Sequence, residues 1–88
     1  MARSDMAKGD ILKKVLDYIV GQIVDDPTKV SVTIIEQGPD EVLAEVRTGP
    51  GDLGRVIGRR GRTARAIRTV AQAAADEEGI TAGVEFVD

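Results

Sequence analysis

The chain has 88 residues, 42% of them hydrophobic, and a formal net charge of −3, which fits one folded domain and is too apolar for a disordered chain. It contains no cysteine and no histidine, so a disulfide framework, a thiolate metal site and an imidazole general base are all excluded. No apolar run approaches the roughly 20 residues needed to span a bilayer, and Met1 to Gly9 lack the apolar core of a signal peptide, so a cytoplasmic protein is expected.

The net charge hides a sharp asymmetry. Residues 1–52 hold six Lys/Arg and ten Asp/Glu, residues 53–75 hold six Arg and no acid, and residues 76–88 hold five acids and no base. An acidic chain with one purely cationic segment can still bind a polyanion there, because the field that matters is local and is screened beyond roughly 8–10 Å.

Met1 to Gly9 is polar and without periodicity, and disorder is expected over 1–9. Asp10 is a candidate N-cap for a helix in which Ile11, Leu12, Val15, Leu16, Ile19 and Ile23 recur at helical spacing. That helix should stop near Val24, since Asp26 precedes Pro27 and is pushed out of helical geometry. Val30 to Gln37 is rich in β-branched residues, with Val30, Val32 and Ile34 alternating against Ser31 and Thr33. Gly38-Pro39-Asp40 is a turn, and Glu41 to Thr48 is a second strand with Val42, Ala44 and Val46 on one face. The short connection predicts an antiparallel hairpin. Gly49-Pro50-Gly51 breaks the strand, and Asp52 can cap a short helix over Leu53 to Ile57. A glycine-bracketed turn follows at Gly58 to Gly61. Arg62 to about Glu78 is a long helix whose apolar face is Ala64, Ile67, Val70, Ala71 and Ala74, ended by Gly79. Gly83 to Asp88 closes the chain as a strand, with Val84 and Phe86 on one face. The last two strands need a crossover, so they should be parallel. The order predicts an α+β layer with a three-stranded mixed sheet and three helices packed on one face.

The chemistry concentrates in Arg55-Val56-Ile57-Gly58-Arg59-Arg60-Gly61-Arg62. Glycine permits φ > 0 and a close backbone approach, and arginine offers phosphate a planar fork of donors. A helix start favours Asp or Glu, yet this helix opens with Arg62, and Arg65 and Arg68 follow at i+3 spacing. Like-charge neighbours at that spacing cost about 0.2–0.5 kcal/mol a pair. With Arg55, Arg59 and Arg60 added, the cluster is unfavourable until an anion arrives and uses the free N–H groups of the helix start. Arginine holds its charge at all physiological pH values, so binding should respond to salt. Three or four neutralised phosphates would give a log–log slope of roughly −2 to −3 on a single strand. Aromatic residues are scarce, with one Tyr and one Phe, which argues against an aromatic stacking platform. Val56 and Ile57 are candidate groove residues for bases, with Ile67 a weaker one. No Walker A string or dinucleotide fingerprint is present, and neither catalysis nor a cofactor is expected.

The string Val56-Ile57-Gly58-x-x-Gly61-Arg62, set between two helices in this element order, resembles a KH domain of type II. With Asp52-Leu53-Gly54-Arg55 ahead of it and Ala64-x-x-Ile67-Arg68 behind, the stretch from Asp10 to Asp88 is similar to the small single-KH, KhpA-type RNA-binding proteins of bacteria. The resemblance implies that the loop clamps the backbone of about four unpaired nucleotides. Its site would comprise Gly58, Arg59, Arg60, Gly61 and Arg62, extended by Arg55, Arg65 and Arg68, with Val56 and Ile57 in the groove. It further implies an RNA chaperone or post-transcriptional regulator, a homodimer, and a larger KH-containing partner of KhpB type. Arg59 and Arg60 fill both variable positions of the loop, where relatives often carry one basic and one polar residue. The other reading is a protein-interaction adaptor acting mainly through such a partner.

Overall fold

The computed structural model describes residues 7–87. Helix α1 (Asp10–Ile23) buries Leu12, Leu16 and Val20, one residue per turn along a single stripe. Asp10 is not its N-cap. Gly9 takes that position in a left-handed conformation with φ 90°, and the Asp10 carboxylate accepts the Ala7 N–H at 3.1 Å. The cap comes from far along the chain. One Glu78 carboxylate oxygen accepts the Gly9 N–H at 2.8 Å and the other accepts the Leu12 N–H at 3.0 Å. A helix start leaves four such N–H groups without intrahelical partners and favours negative charge beside them.

Of the segment expected to be disordered, residues 1–6 lie outside the described residues. Ala7 to Gly9 are docked, by the Glu78 contact and by Lys8, whose Nζ donates to the Pro39 carbonyl and lies 3.9 Å from Glu36. At its other end α1 stops at Ile23, with Val24 extended. A 3-10 turn follows at Pro27–Lys29, where the Asp26 side chain accepts the Thr28 N–H.

Strands β1 (Ser31–Gly38) and β2 (Glu41–Arg47) form the expected antiparallel hairpin, with Val32 opposite Val46 and Ile34 opposite Ala44. Strand β3 (Thr81–Val87) lies parallel to β2 with Ala44 beside Val84, giving the order β1-β2-β3. It starts two residues earlier than the alternation suggested, because Thr81 N–H reaches the Asp40 carbonyl at 2.8 Å and extends the pairing. Asp88 lies outside the described residues.

Helices α2 (Leu53–Ile57) and α3 (Arg62–Glu77) supply the crossover. Val32, Val42, Ala44, Val46 and Val84 from the sheet join Leu12, Leu16, Val20, Val56, Ile67, Ala71 and Ala75 in one core. All three helices therefore cover the same sheet face. Alanines along α3 let it sit close to that face. Val70, expected in the core, instead points outward and is 43% exposed, while Ala75 takes its place inside.

Asp52 was expected to cap α2, but its side chain makes no cap hydrogen bond there. It is 3% exposed and accepts the N–H groups of Asp25 and Asp26, each at 3.1 Å. It thereby ties the start of α2 to the loop that leaves α1. An unsatisfied buried polar group costs about 1–3 kcal/mol. Asp52→Ala should therefore lower unfolding stability by about 2 kcal/mol, read as a drop in the urea midpoint, with Asp52→Asn losing less because one acceptor remains.

Candidate nucleic-acid interface

Between α2 and α3 the chain makes a 3-10 turn at Arg59–Gly61. The backbone turns three times through unusual conformations: Gly58 has φ 77° and ψ 170°, Arg60 has φ 59° and ψ 24°, and Gly61 has φ 73° and ψ 16°. Arg60 is the one non-glycine residue with positive φ among the described residues, a conformation that costs an L-residue roughly 1–2 kcal/mol.

The two glycines are needed for different reasons. A β-carbon on Gly58 would lie 2.3 Å from Thr63 Oγ1, 2.7 Å from Thr63 Cβ and 2.9 Å from the Thr63 backbone nitrogen. On Gly61 it would meet nothing within 4 Å. Gly58 is closed over by the first turn of α3, whereas Gly61 opens onto space. The turn is held by Gly58 N–H to the Gly54 carbonyl at 2.9 Å and Gly61 N–H to the Gly58 carbonyl at 3.1 Å. Helix α3 then begins with no acid in its first turn and no side-chain cap, and the Arg62 N–H turns back to the Arg59 carbonyl.

The six arginines fall into three environments. Arg59, Arg60, Arg62 and Arg65 are exposed, and none of them has an ion pair among the described residues. Arg55 is different. Its Nη2 lies 3.0 Å from Asp25 Oδ2 and its Nε 3.5 Å from Asp52 Oδ1. Two carboxylates already balance its charge, so it does not extend the free cation as its place in the sequence suggested. Its i,i+3 spacing from Asp52 was readable in the sequence. Asp25, thirty residues away, was not.

Arg68 is the third case. Its Nε donates to the Val84 carbonyl at 3.3 Å, and its guanidinium carbon lies 5.3 Å from the centre of the Phe86 ring, within cation–π range. Arg68 is thus held against β3, while Arg62 and Arg65 stand free.

Val56 has no exposed surface and belongs to the core, so the structure removes it as a groove residue. Ile67 is likewise buried, at 2% exposure. Ile57 is half-buried beside the turn and remains available. Sequence reasoning missed Thr63, whose side chain occupies the space a residue larger than Gly58 would need, and missed that Phe86 fixes an arginine. Among the described residues no cluster of three or more acidic side chains could hold a metal ion, and no helix is long and apolar enough to cross a membrane.

A mixed sheet backed by three helices, with a Gly-x-x-Gly turn joining the second and third, defines a KH domain. The chain belongs to the family described as KhpA/KhpB, KH domain, which matches residues 13–86. It is 40% identical over 76 residues to the RNA-binding protein KhpA of Clostridium acetobutylicum, covering 86% of this chain and 100% of that one. It is 49% identical over 78 residues to the RNA-binding protein KhpA of Leifsonia xyli, covering 89% and 99% respectively. In fold it is similar to the crystal structure of an Aquifex aeolicus Era variant bound to GDP and aluminium fluoride, with a TM-score of 0.63 at 16% identity. That match covers 86% of this chain and 30% of the other.

The two glycines separate experimentally. Gly58→Ala should destabilise the fold by clearly more than Gly61→Ala. The latter carries only the cost of positive φ, about 1–2 kcal/mol, and urea unfolding of both variants measures the difference.

Proposed function

We propose that this protein binds single-stranded RNA, with the Gly58-Arg59-Arg60-Gly61 turn clamping the sugar–phosphate backbone. The observation that carries this reading is the set of four exposed arginines without ion pairs around an uncapped helix start. Phosphate oxygens would relieve their mutual repulsion and accept charge-assisted hydrogen bonds from their guanidinium groups. The relatives named RNA-binding protein KhpA support RNA as the polyanion. The protein is a binding module and no enzyme. It acts in the cytoplasm as an RNA chaperone or post-transcriptional regulator, and a larger KH-containing protein of KhpB type is its proposed partner. Specificity is modest, since phosphate contacts position a strand without reading its bases.

Exchanging both Arg59 and Arg60 for Asp should abolish binding of a fluorescein-labelled single-stranded RNA while circular dichroism stays native. For the parent protein, the log–log slope of affinity against salt should be roughly −2 to −3. Undiminished affinity in the double variant would sink the clamp.

A homodimer is the second element of the proposal, and one observation favours it. The outer face of α3 carries the exposed Ala66, Thr69, Val70 and Ala73 between Arg62 at one end and Glu77 at the other. Thr69 turns its hydroxyl back to the Arg65 carbonyl at 3.1 Å. Two copies packed antiparallel on this face would cover the exposed Val70 of each with the small side chains of the other. Val70→Asp should shift the protein to monomer in sedimentation velocity, and a wild type that is already monomeric at high concentration would exclude this contact.

A further inference from the structure

Arg68 differs from the other arginines of the site in a way that points to a separate role. Strand β3 is at an edge of the sheet, and α3 closes two groups on its open side. Gln72 Oε1 accepts the Ala82 N–H at 3.2 Å, and Arg68 Nε donates to the Val84 carbonyl at 3.3 Å. The Arg68 guanidinium is also seated over Phe86, 5.3 Å from the ring centre. Two independent contacts therefore fix the plane of this guanidinium, while the side chain stays exposed.

A fork fixed in this way has properties that a free surface arginine lacks. Guanidinium carries five N–H donors and no acceptor. With Nε committed to Val84, the two terminal nitrogens remain without a hydrogen-bond partner among the described residues. Holding the plane in advance reduces the rotamer entropy lost on binding, which benefits a bidentate contact more than a diffuse charge contact. A phosphate needs no such orientation, because the backbone can shift to meet a flexible arginine. A base is a rigid plane whose edge acceptors keep a fixed spacing and direction, so both are met at once only by donors that lie in that plane. The partner that matches two donors side by side is an edge with two adjacent acceptors. Guanine offers O6 and N7, the commonest specific pairing of arginine, whereas adenine presents one acceptor beside a donor.

Position agrees with this division. Arg68 is seven residues beyond Gly61, about 10 Å along the helix axis, and is turned toward the sheet rather than outward with Arg62 and Arg65. A strand whose backbone is held at the turn would pass its bases over α3 toward β3.

We propose that Arg68 reads the edge of a guanine base, and that Phe86 and the Val84 carbonyl are its positioning groups. This inference rests on the single-stranded RNA reading above. The test is fluorescence anisotropy with uridine octamers carrying one central guanosine, adenosine, cytidine or 7-deazaguanosine. The wild type should prefer guanosine over adenosine by about tenfold, at the low end of what a bidentate pair provides. Replacing N7 by carbon in 7-deazaguanosine should remove most of that preference. Arg68→Lys keeps the charge but cannot present the fork. It should bind all four octamers with similar affinity and an unchanged salt slope. Phe86→Leu should weaken the preference while leaving uridine binding in place.

A guanosine preference that survives in Arg68→Lys overturns the proposal, as does a wild-type preference for cytidine or none at all. A uniform loss across bases in Arg68→Ala, with the salt slope reduced by about 0.7, would make Arg68 a phosphate contact instead. A change in thermal stability of Arg68→Lys with intact base discrimination would leave it only a tie between α3 and β3. Binding of every octamer without discrimination removes this inference alone, whereas failure of the wild type to bind any octamer removes the RNA reading as well.

Discussion

Gly58 leaves no room for a β-carbon, because the Thr63 backbone nitrogen and side chain stand against it. That close approach sets the angle at which α3 leaves α2, and much else depends on it. Helix α3 can lie flat on the sheet only if it starts in this direction, and Ile67, Ala71 and Ala75 reach the core only from that pose. The same contact fixes the uncapped start of α3 beside Arg59, Arg60 and Arg62. Fold and candidate site therefore share one steric constraint. The left-handed backbone at Arg60 is tolerable in this setting, since the helices on either side hold the turn in place.

An acidic chain keeps a cationic site by giving its carboxylates other work. Glu78 holds the first turn of α1 through two backbone N–H groups, and Asp52 holds the loop after α1 through two more. Asp25 and Asp52 face Arg55, and Asp76 receives Gln72 Nε2 at 2.8 Å. None of these carboxylates pairs with Arg59, Arg60, Arg62 or Arg65. The repulsion left in that group is a cost the folded protein carries in its free state, and an anionic ligand would relieve it. Net charge is a poor guide to such a site, because the fields of distant carboxylates are screened within about 8–10 Å.

The layer architecture, strand pairing and glycine turn were legible because they rest on local patterns. Alternation in β1 and β2, the Gly38-Pro39-Asp40 turn and the crossover requirement each restrict the backbone within a few residues. The misreadings came from long-range partners. Asp10 and Asp52 both looked like N-caps, but Gly9 and Glu78 serve α1, while Asp52 bonds residues 26 and 27 positions earlier. Val70 matched the apolar face of α3 by spacing and yet points to solvent, because a helix lying on one sheet buries only a narrow stripe and Ala75 falls nearer its centre. Val56 looked like a groove residue by adjacency to the turn, but on a helix of five residues one side chain must anchor the core. The six arginines read as one stripe, since nothing in spacing alone tells an exposed arginine from one set against Asp25 or Phe86.

That last distinction shapes how the domain could treat a nucleic acid. Arginines free to move supply attraction that is strong, salt-sensitive and indifferent to sequence. A chain bearing only such residues would hold any single strand equally. Discrimination requires a donor set whose geometry is fixed before the ligand arrives, and fixing it consumes contacts that the fold must supply. In this small domain, strand β3 supplies them. Its open edge gives a carbonyl and its half-buried Phe86 gives a ring, both beside the core that keeps them in place. A turn that met only phosphate could keep its arginines free, whereas a group that read a base would need a support fixed in advance, such as the Val84 carbonyl and the Phe86 ring.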